Sequence, residues 1–210
     1  MGLTAKNPGG TDYDPVALGV HQAICYGIYD LGTQYQERFG KSTHKVLFQW
    51  ELPEERINIE RDDKMVNLPR AISKQYTCSL HEKSNLRKDL QSWRGVAFTT
   101  KQLEGFDLKT VLGANCSLQV LHNTREDGRI FANVAAIIPL MKNMKKREPE
   151  NPLRFFSFED QTNIPEGTPD WIVDIIKAAD EWGSGNSEPD DDAPYNEEDP
   201  DPIDDDEIPF

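Results

Sequence analysis

Glu82-Lys83-Ser84-Asn85-Leu86-Arg87-Lys88-Asp89-Leu90-Gln91-Ser92-Trp93-Arg94-Gly95 is where the hydrophobic period of the chain changes. Leu86, Leu90 and Trp93 stand at i, i+4 and i+7, which sets three large apolar side chains on one helical face. Gly95 follows as the residue that tolerates the left-handed stop of a helix. Lys83, Arg87 and Arg94 lie on a neighbouring stripe. The spacing predicts an amphipathic helix over 82–94, set between stretches that alternate with a period near two.

Upstream, Val20, Ile24, Tyr26 and Ile28 recur at that period over 18–31, with Gly19 and Gly27 as bulge or bend points and Gly32 as the expected end. Over 44–52 the alternation is clean. Val46, Phe48, Trp50 and Leu52 point one way, and Lys45, Leu47, Gln49 and Glu51 the other. Pro53 is expected to end this strand, and 53–69 reads as a charged, irregular hairpin excursion. A third strand is predicted over 70–80, with Ile72, Lys74, Tyr76, Cys78 and Leu80 on one face. Downstream of the helix, 96–113 reads as short turns anchored by Phe98, Leu103, Phe106, Leu108 and Leu112. Strands follow over 115–122 and 129–140. Three strands, one helix and two strands predict a mainly β chain. The architecture with that order is a five-stranded OB-type Greek-key barrel with a helix between strands 3 and 4, a fold whose strand face and loops bind oligonucleotides. A β-sandwich or an open sheet with one helix has the same order.

Charge divides the chain. The formal net charge is −14, but residues 1–147 carry a balance of +5 and residues 148–210 one of −19. A mildly basic body joined to an acidic tail points to a nucleic-acid partner and a tail that competes with it. The predicted organisation is a loose arm over 1–16 and a binding domain over 17–147. A linker with a packing helix spans 148–182, and a disordered acidic tail spans 183–210. Thr168-Pro169-Asp170 reads as a helix start, with Thr168 as cap and Pro at the first turn. Trp171, Ile175, Ala178, Ala179 and Trp182 would line one face as far as Gly183. The last 28 residues hold twelve acids and no Lys or Arg, a composition that cannot bury enough to fold.

Cys25, Cys78 and Cys116 are odd in number and widely spaced, and no His pair stands at ligand spacing, so neither zinc nor any other cofactor is expected. Unpaired cysteines in strand-like runs fit core positions in a reducing, cytoplasmic setting. No apolar run reaches membrane length, so no membrane partner is expected. There is no Gly-rich phosphate loop, and His21, His44, His81 and His122 are scattered. A solvated reading suits the adjacent acids Asp62 and Asp63. The chain reads as a binding protein and not an enzyme.

The chain ends on Asp204-Asp205-Asp206-Glu207-Ile208-Pro209-Phe210. Two large apolar residues gain nothing from water, whereas Phe210 can fill a partner's pocket while the acids speed encounter with a basic surface. This tip resembles the C-terminal tip of bacterial and phage single-stranded-DNA-binding proteins, with Glu207 as the departure. In the body, Gly32-Thr33-Gln34, Trp50-Glu51-Leu52-Pro53, Glu82-Lys83-Ser84-Asn85-Leu86-Arg87-Lys88 and Gly105-Phe106-Asp107-Leu108 resemble phage and prophage proteins taken to be single-stranded-DNA-binding proteins of the OB class. That likeness runs over roughly residues 17–140. It implies a protein that coats single strands in phage DNA replication or recombination and recruits enzymes of those processes through the tip. It assigns no contact residue. The alternative is a protein-interaction or nucleic-acid-mimic module.

Sequence-tolerant strand binding needs a cationic groove and rings on which bases stack. Tyr26, Tyr29, Phe48, Trp50, Tyr76 and Phe131 are the strand rings. Phe48 and Trp50 share a face with Val46 and Leu52 and lean toward core. Tyr29 and Tyr76 carry hydroxyls suited to a wet edge, which makes them the expected stacking pair. Tyr35 and Phe39 could clamp a strand from their loop. For phosphates the expected residues are Arg38, Lys41, Lys45, Lys74, Lys83, Arg87, Lys88, Arg94, Arg125 and Arg129. Oligomeric state is not legible in the sequence.

Overall fold

The computed structural model describes residues 14–37, 40–61, 64–124, 128–160 and 163–183. The described part is mainly β. Six strands, β1 (Gly19–Gln36), β2 (Lys41–Arg61), β3 (Lys64–Thr77), β4 (Asn115–Thr124), β5 (Ile130–Pro139) and β6 (Arg154–Phe156), form one sheet. Four α-helices accompany it: α1 (Asn85–Arg94), α2 (Thr100–Glu104), α3 (Asp170–Lys177) and α4 (Asp180–Gly183). The strand order is β3-β2-β1-β4-β5, all antiparallel. Residues 19–24 of β1 pair with β4, and from Ile24 onward β1 pairs with β2. Where β4 leaves off, β6 takes the same edge of β1 in parallel. Among the described residues, no helix is long and apolar enough to cross a membrane.

The predicted helix is α1. Leu86, Leu90 and Trp93 are its buried residues, and Gly95 at φ 69° closes it with its N–H on the Ser92 carbonyl. This face covers the inner side of the sheet, where Phe48 and Trp50 stack at 5.7 Å and Tyr76 meets Phe48 edge-on at 5.6 Å. Burying each such ring contributes about 2–3 kcal/mol.

Several boundaries differ from the sequence reading, each for a physical reason. Gly32 does not end β1. It adopts φ +64°, and a Cβ there would lie 2.7 Å from Ala179 and 2.8 Å from Phe158, so it is an in-strand bend where the C-terminal layer comes close. Beyond it β1 runs on to Gln36, and β2 begins already at Lys41. Nor does Pro53 end β2. It sits in the irregularity between Leu52 and Arg56, where a missing N–H costs no ladder bond. Residues 56–61 and 64–69 pair as a regular ribbon, and the third strand runs over Lys64–Thr77, earlier than expected. Thr168 is not the helix cap: its hydroxyl donates to the Pro165 carbonyl at 2.7 Å, and Pro169 stands at the cap. The single helix expected to reach Gly183 is two, α3 and α4, broken at Ala178. Ile172, Ile176 and Ala179 form its buried face. Cys78 lies beyond β3 and is exposed, whereas Cys25 and Cys116 are core.

The segment expected as a linker with a packing helix forms a layer on the sheet. Phe156, Ile172 and Ile176 form a second hydrophobic core with Tyr29, Leu31 and Leu47 on the outer face of β1 and β2. Glu51, fully buried in the same face, accepts from the Glu150 N–H at 2.8 Å, the Asn151 N–H at 2.9 Å and the Asn151 side-chain amide at 2.7 Å. Three donors satisfy a carboxylate that burial would otherwise penalise. At the other end, the expected loose arm is tied down by residue 16: Val16 is buried, and His122 Nε2 lies 2.7 Å from its carbonyl.

Candidate nucleic-acid interface

The alternation that places Val46, Phe48, Trp50 and Leu52 inward leaves the outer face of β2 to Lys45, Leu47, Gln49 and Glu51, and these four are buried as well, Leu47 and Glu51 against the C-terminal layer. This overturns the two expected stacking rings. Tyr29 is fully buried in the outer core, and Tyr76 is 2% exposed in the inner one. The Tyr76 hydroxyl finds its polar partner inside, donating to Asp89 Oδ2 at 2.8 Å. Burial pushes the Tyr29 phenol above its usual range, against the nearby Arg154 charge.

Two of the expected phosphate ligands are consumed the same way. Lys45 is buried, with Nζ 3.2 Å from Thr77 Oγ1. Lys74 Nζ donates to Asp89 Oδ2 at 3.0 Å and to the Val134 carbonyl at 3.1 Å. Its ammonium therefore ties β3 to both α1 and β5. Arg94 lies over the rings of Phe98 and Phe106 at 4.7 and 4.8 Å, and Arg87 donates to the Leu80 carbonyl. Both act in packing. Lys83, Lys88 and Arg129 are exposed and Lys41 half-exposed. Arg38, Arg125 and the whole tip, Asp204, Asp205, Asp206, Glu207, Ile208, Pro209 and Phe210, lie outside the described residues. So does Phe39, while Tyr35 on β1 is the most exposed aromatic among the described residues, at 64%. Tyr35 pairs with Ser42 and Gln36 with Lys41, so the ring and the cation stand at the same hairpin end on opposite faces.

The better-built cationic feature is the strap that leaves β5. Lys142, Lys145 and Lys146 are exposed, yet the backbone beneath them is pinned. Gln22 on β1 donates to the Lys145 carbonyl at 2.8 Å and to Asn115 Oδ1 at 3.1 Å. Asn115 on β4 donates to the Arg147 carbonyl at 2.9 Å and accepts the Arg147 N–H at 3.0 Å. Arg147 then pairs with Glu54. Two side-chain amides thus hold a strap across β4 and β1 and leave three ammonium groups in water. On α1, Lys88 stands one turn before Ser92, whose hydroxyl donates to the Ile137 carbonyl of β5 at 2.6 Å. The cluster Lys142 to Arg147 is visible in the sequence as a run of charge. Its anchors Gln22 and Asn115 carry no sequence signal, because they act on the strap across 123 and 32 residues of chain.

The layer that follows the strap has the opposite sign. Residues 148–182 carry a balance of −7, and they cover the outer face of β1 and β2. Their last helix is fastened by Glu181, which accepts from the Thr33 N–H at 2.7 Å and its hydroxyl at 2.6 Å. His44 joins this fastening, 2.7 Å from Asp30 and 3.7 Å from Glu181. The hydrogen bond to Asp30 raises the His44 pKa above 6.5, against the cost of burial. Burial opposes ionisation of Glu181, but the Thr33 bonds outweigh it and hold its pKa below the usual carboxylate value. A raised imidazole pKa stabilises the fold fully below about 6.5 and loses that contribution as pH rises through the folded value. Thermal melts across that window should show the loss in the wild-type chain, and His44→Gln should flatten it. Identical slopes for the two proteins would refute the coupling.

No protein-family model matches the chain, and no curated protein matches it.

Proposed function

We propose that the chain is a single-stranded-DNA-binding protein. It coats strands through a cationic surface built on an OB-type barrel and recruits replication or recombination enzymes through its acidic tip. In this reading the open sheet is a Greek-key barrel whose seam between β3 and β5 is bridged by Lys74 instead of by a backbone ladder. The observation that carries the reading is the pinned strap. Lysines that merely solubilise need no clamped backbone, whereas a phosphate-binding row gains from a support that keeps its charges in register with a polyanion. The function needs no cofactor and no catalytic step. The acidic C-terminal layer supports the second reading, a nucleic-acid mimic, because it presents carboxylates on a fixed surface.

A titration of fluorescent single-stranded DNA against salt separates the two. Coating predicts affinity that falls with log salt by about 0.7 per phosphate neutralised, with weaker binding to duplex. A flat response, or no binding, leaves the mimic. The same experiment on protein lacking residues 183–210 should show tighter binding at low salt, and the gain should shrink as salt screens the twelve carboxylates. Deleting Phe210 alone keeps every acidic side chain and should leave DNA affinity unchanged while capture of replication proteins is lost. Capture that survives this deletion would show that charge, and not the apolar tip, is read.

A further inference from the structure

The lysine strap divides the outer face of the sheet. Its anchors Gln22 and Asn115 point outward, because their neighbours Ala23 and Cys116 belong to the inner core. Ile24 and Ser117, the pairing partners of Asn115 and Gln22, are fully buried at the strap. On one side the chain continues into the acidic layer, whose N–H groups at Glu150 and Asn151 reach Glu51 and whose β6 pairs with Gly27 to Tyr29. On the other side the face opens to water. Val20 is 49% exposed, Leu121 46% and Ile138 38%. The register sets these apolar side chains among amides: Val20 pairs with Gln119, Leu121 with Asn133, and Asn123 with Phe131. None of the outward residues of β4, β5 or the first five residues of β1 is acidic.

We propose that the bases of a single strand lie on this open half while the strap lysines hold its phosphates; this rests on the single-stranded-DNA reading above and gives that reading a face. Charge selects a polyanion. The face carries no carboxylate, and its border is the row of Lys142, Lys145 and Lys146, whose backbone is tied to Gln22 and Asn115 of the same face. Chemistry selects unpaired bases. Aliphatic side chains meet the flat faces of bases, and the amides between them offer both a donor and an acceptor, so any base edge finds a partner. A duplex keeps those base faces stacked inside and could bring only phosphates to the strap. Of the six strand rings considered in the sequence, only Phe131 escapes full burial, and it stands on this face. The half over β2, where Tyr29 was expected to stack, is closed, since Tyr29 and Leu47 are core under the acidic layer.

Two measurements on the full chain test this. In a salt titration with fluorescent oligothymidylate, Val20→Thr with Leu121→Thr should lower affinity about tenfold and leave the log–log slope unchanged, because base contacts release no counterions. Threonine suits a strand and adds no charge. Independently, a benzoylphenylalanine photocrosslinker at exposed Gln119 should couple to the oligonucleotide, and the same group at exposed Met65 on β3 should not. The crosslink decides alone if the double variant fails to fold. Wild-type protein that does not bind the oligonucleotide overturns the single-stranded-DNA reading and this proposal with it. Wild-type binding together with unchanged affinity in the folded double variant, or with crosslinking at Gln119 no stronger than at Met65, overturns this proposal and leaves the strap as the binding surface. Crosslinks from Gln119 to a second chain in the absence of DNA also overturn it, since they assign the face to self-association.

Discussion

Replacing Lys142, Lys145 and Lys146 together with glutamate is expected to lower the affinity for single-stranded DNA by about 100-fold at low salt. The three side chains are exposed, and the bonds that hold the strap use the backbone of residues 145 and 147 with Gln22 and Asn115. The substitution should therefore remove charge without removing structure, and the melting temperature should stay within the error of a surface change. The salt dependence carries the sharper signature. If all three lysines meet phosphates, the log–log slope becomes shallower by about 2. Weaker binding with an unchanged slope would place the phosphates elsewhere, with the hairpin end of Tyr35 and Lys41 next in line. Unchanged binding and slope together would remove the strap from the interface.

The second large effect is on stability. Asp89→Ala on α1 takes one carboxylate from under both Lys74 and Tyr76, whose polar atoms lie 3.0 and 2.8 Å from Oδ2. Lys74 and Asp89 are each less than a fifth exposed. The substitution strands a largely desolvated ammonium and a buried hydroxyl at the seam between β3 and β5, and the cost should be about 3 kcal/mol. Tyr76→Phe removes only the hydroxyl and should cost about 1 kcal/mol. Urea unfolding measures both. Single-stranded-DNA binding by the folded protein distinguishes the seam role from a phosphate-binding role for Lys74. Freed from Asp89, a phosphate-binding lysine would tighten DNA binding, whereas a seam lysine leaves it unchanged. Tighter binding by Asp89→Ala would return Lys74 to the interface.

What the sequence by itself determined was local in origin. The i, i+4, i+7 spacing of Leu86, Leu90 and Trp93 placed α1, and the alternation around Trp50 identified the inner face of β2, because each pattern repeats within a few residues. Charge was legible too, since a sum over the chain needs no fold: the basic body, the run from Lys142 to Arg147 and the acidic tail are all in the letters. The strand ends were not. Gly32 and Pro53 carry the signals of a stop, yet both stand within strands, because a bend at the close approach of Ala179 and Phe158 and an irregularity in the β2–β3 ladder accommodate them. The tertiary structure alone decided which cations and rings are available. Tyr29, Tyr76, Lys45 and Lys74 look like binding residues by type and position, and each is withdrawn by a partner far away in sequence or by the layer packed over β1 and β2. Phe156, Ile172 and Ile176 form that layer's core more than 100 residues after Tyr29, Leu31 and Leu47, which they cover. No local period encodes such a contact, because a half-buried strand face has the same alternation whether water or another part of the chain lies against it.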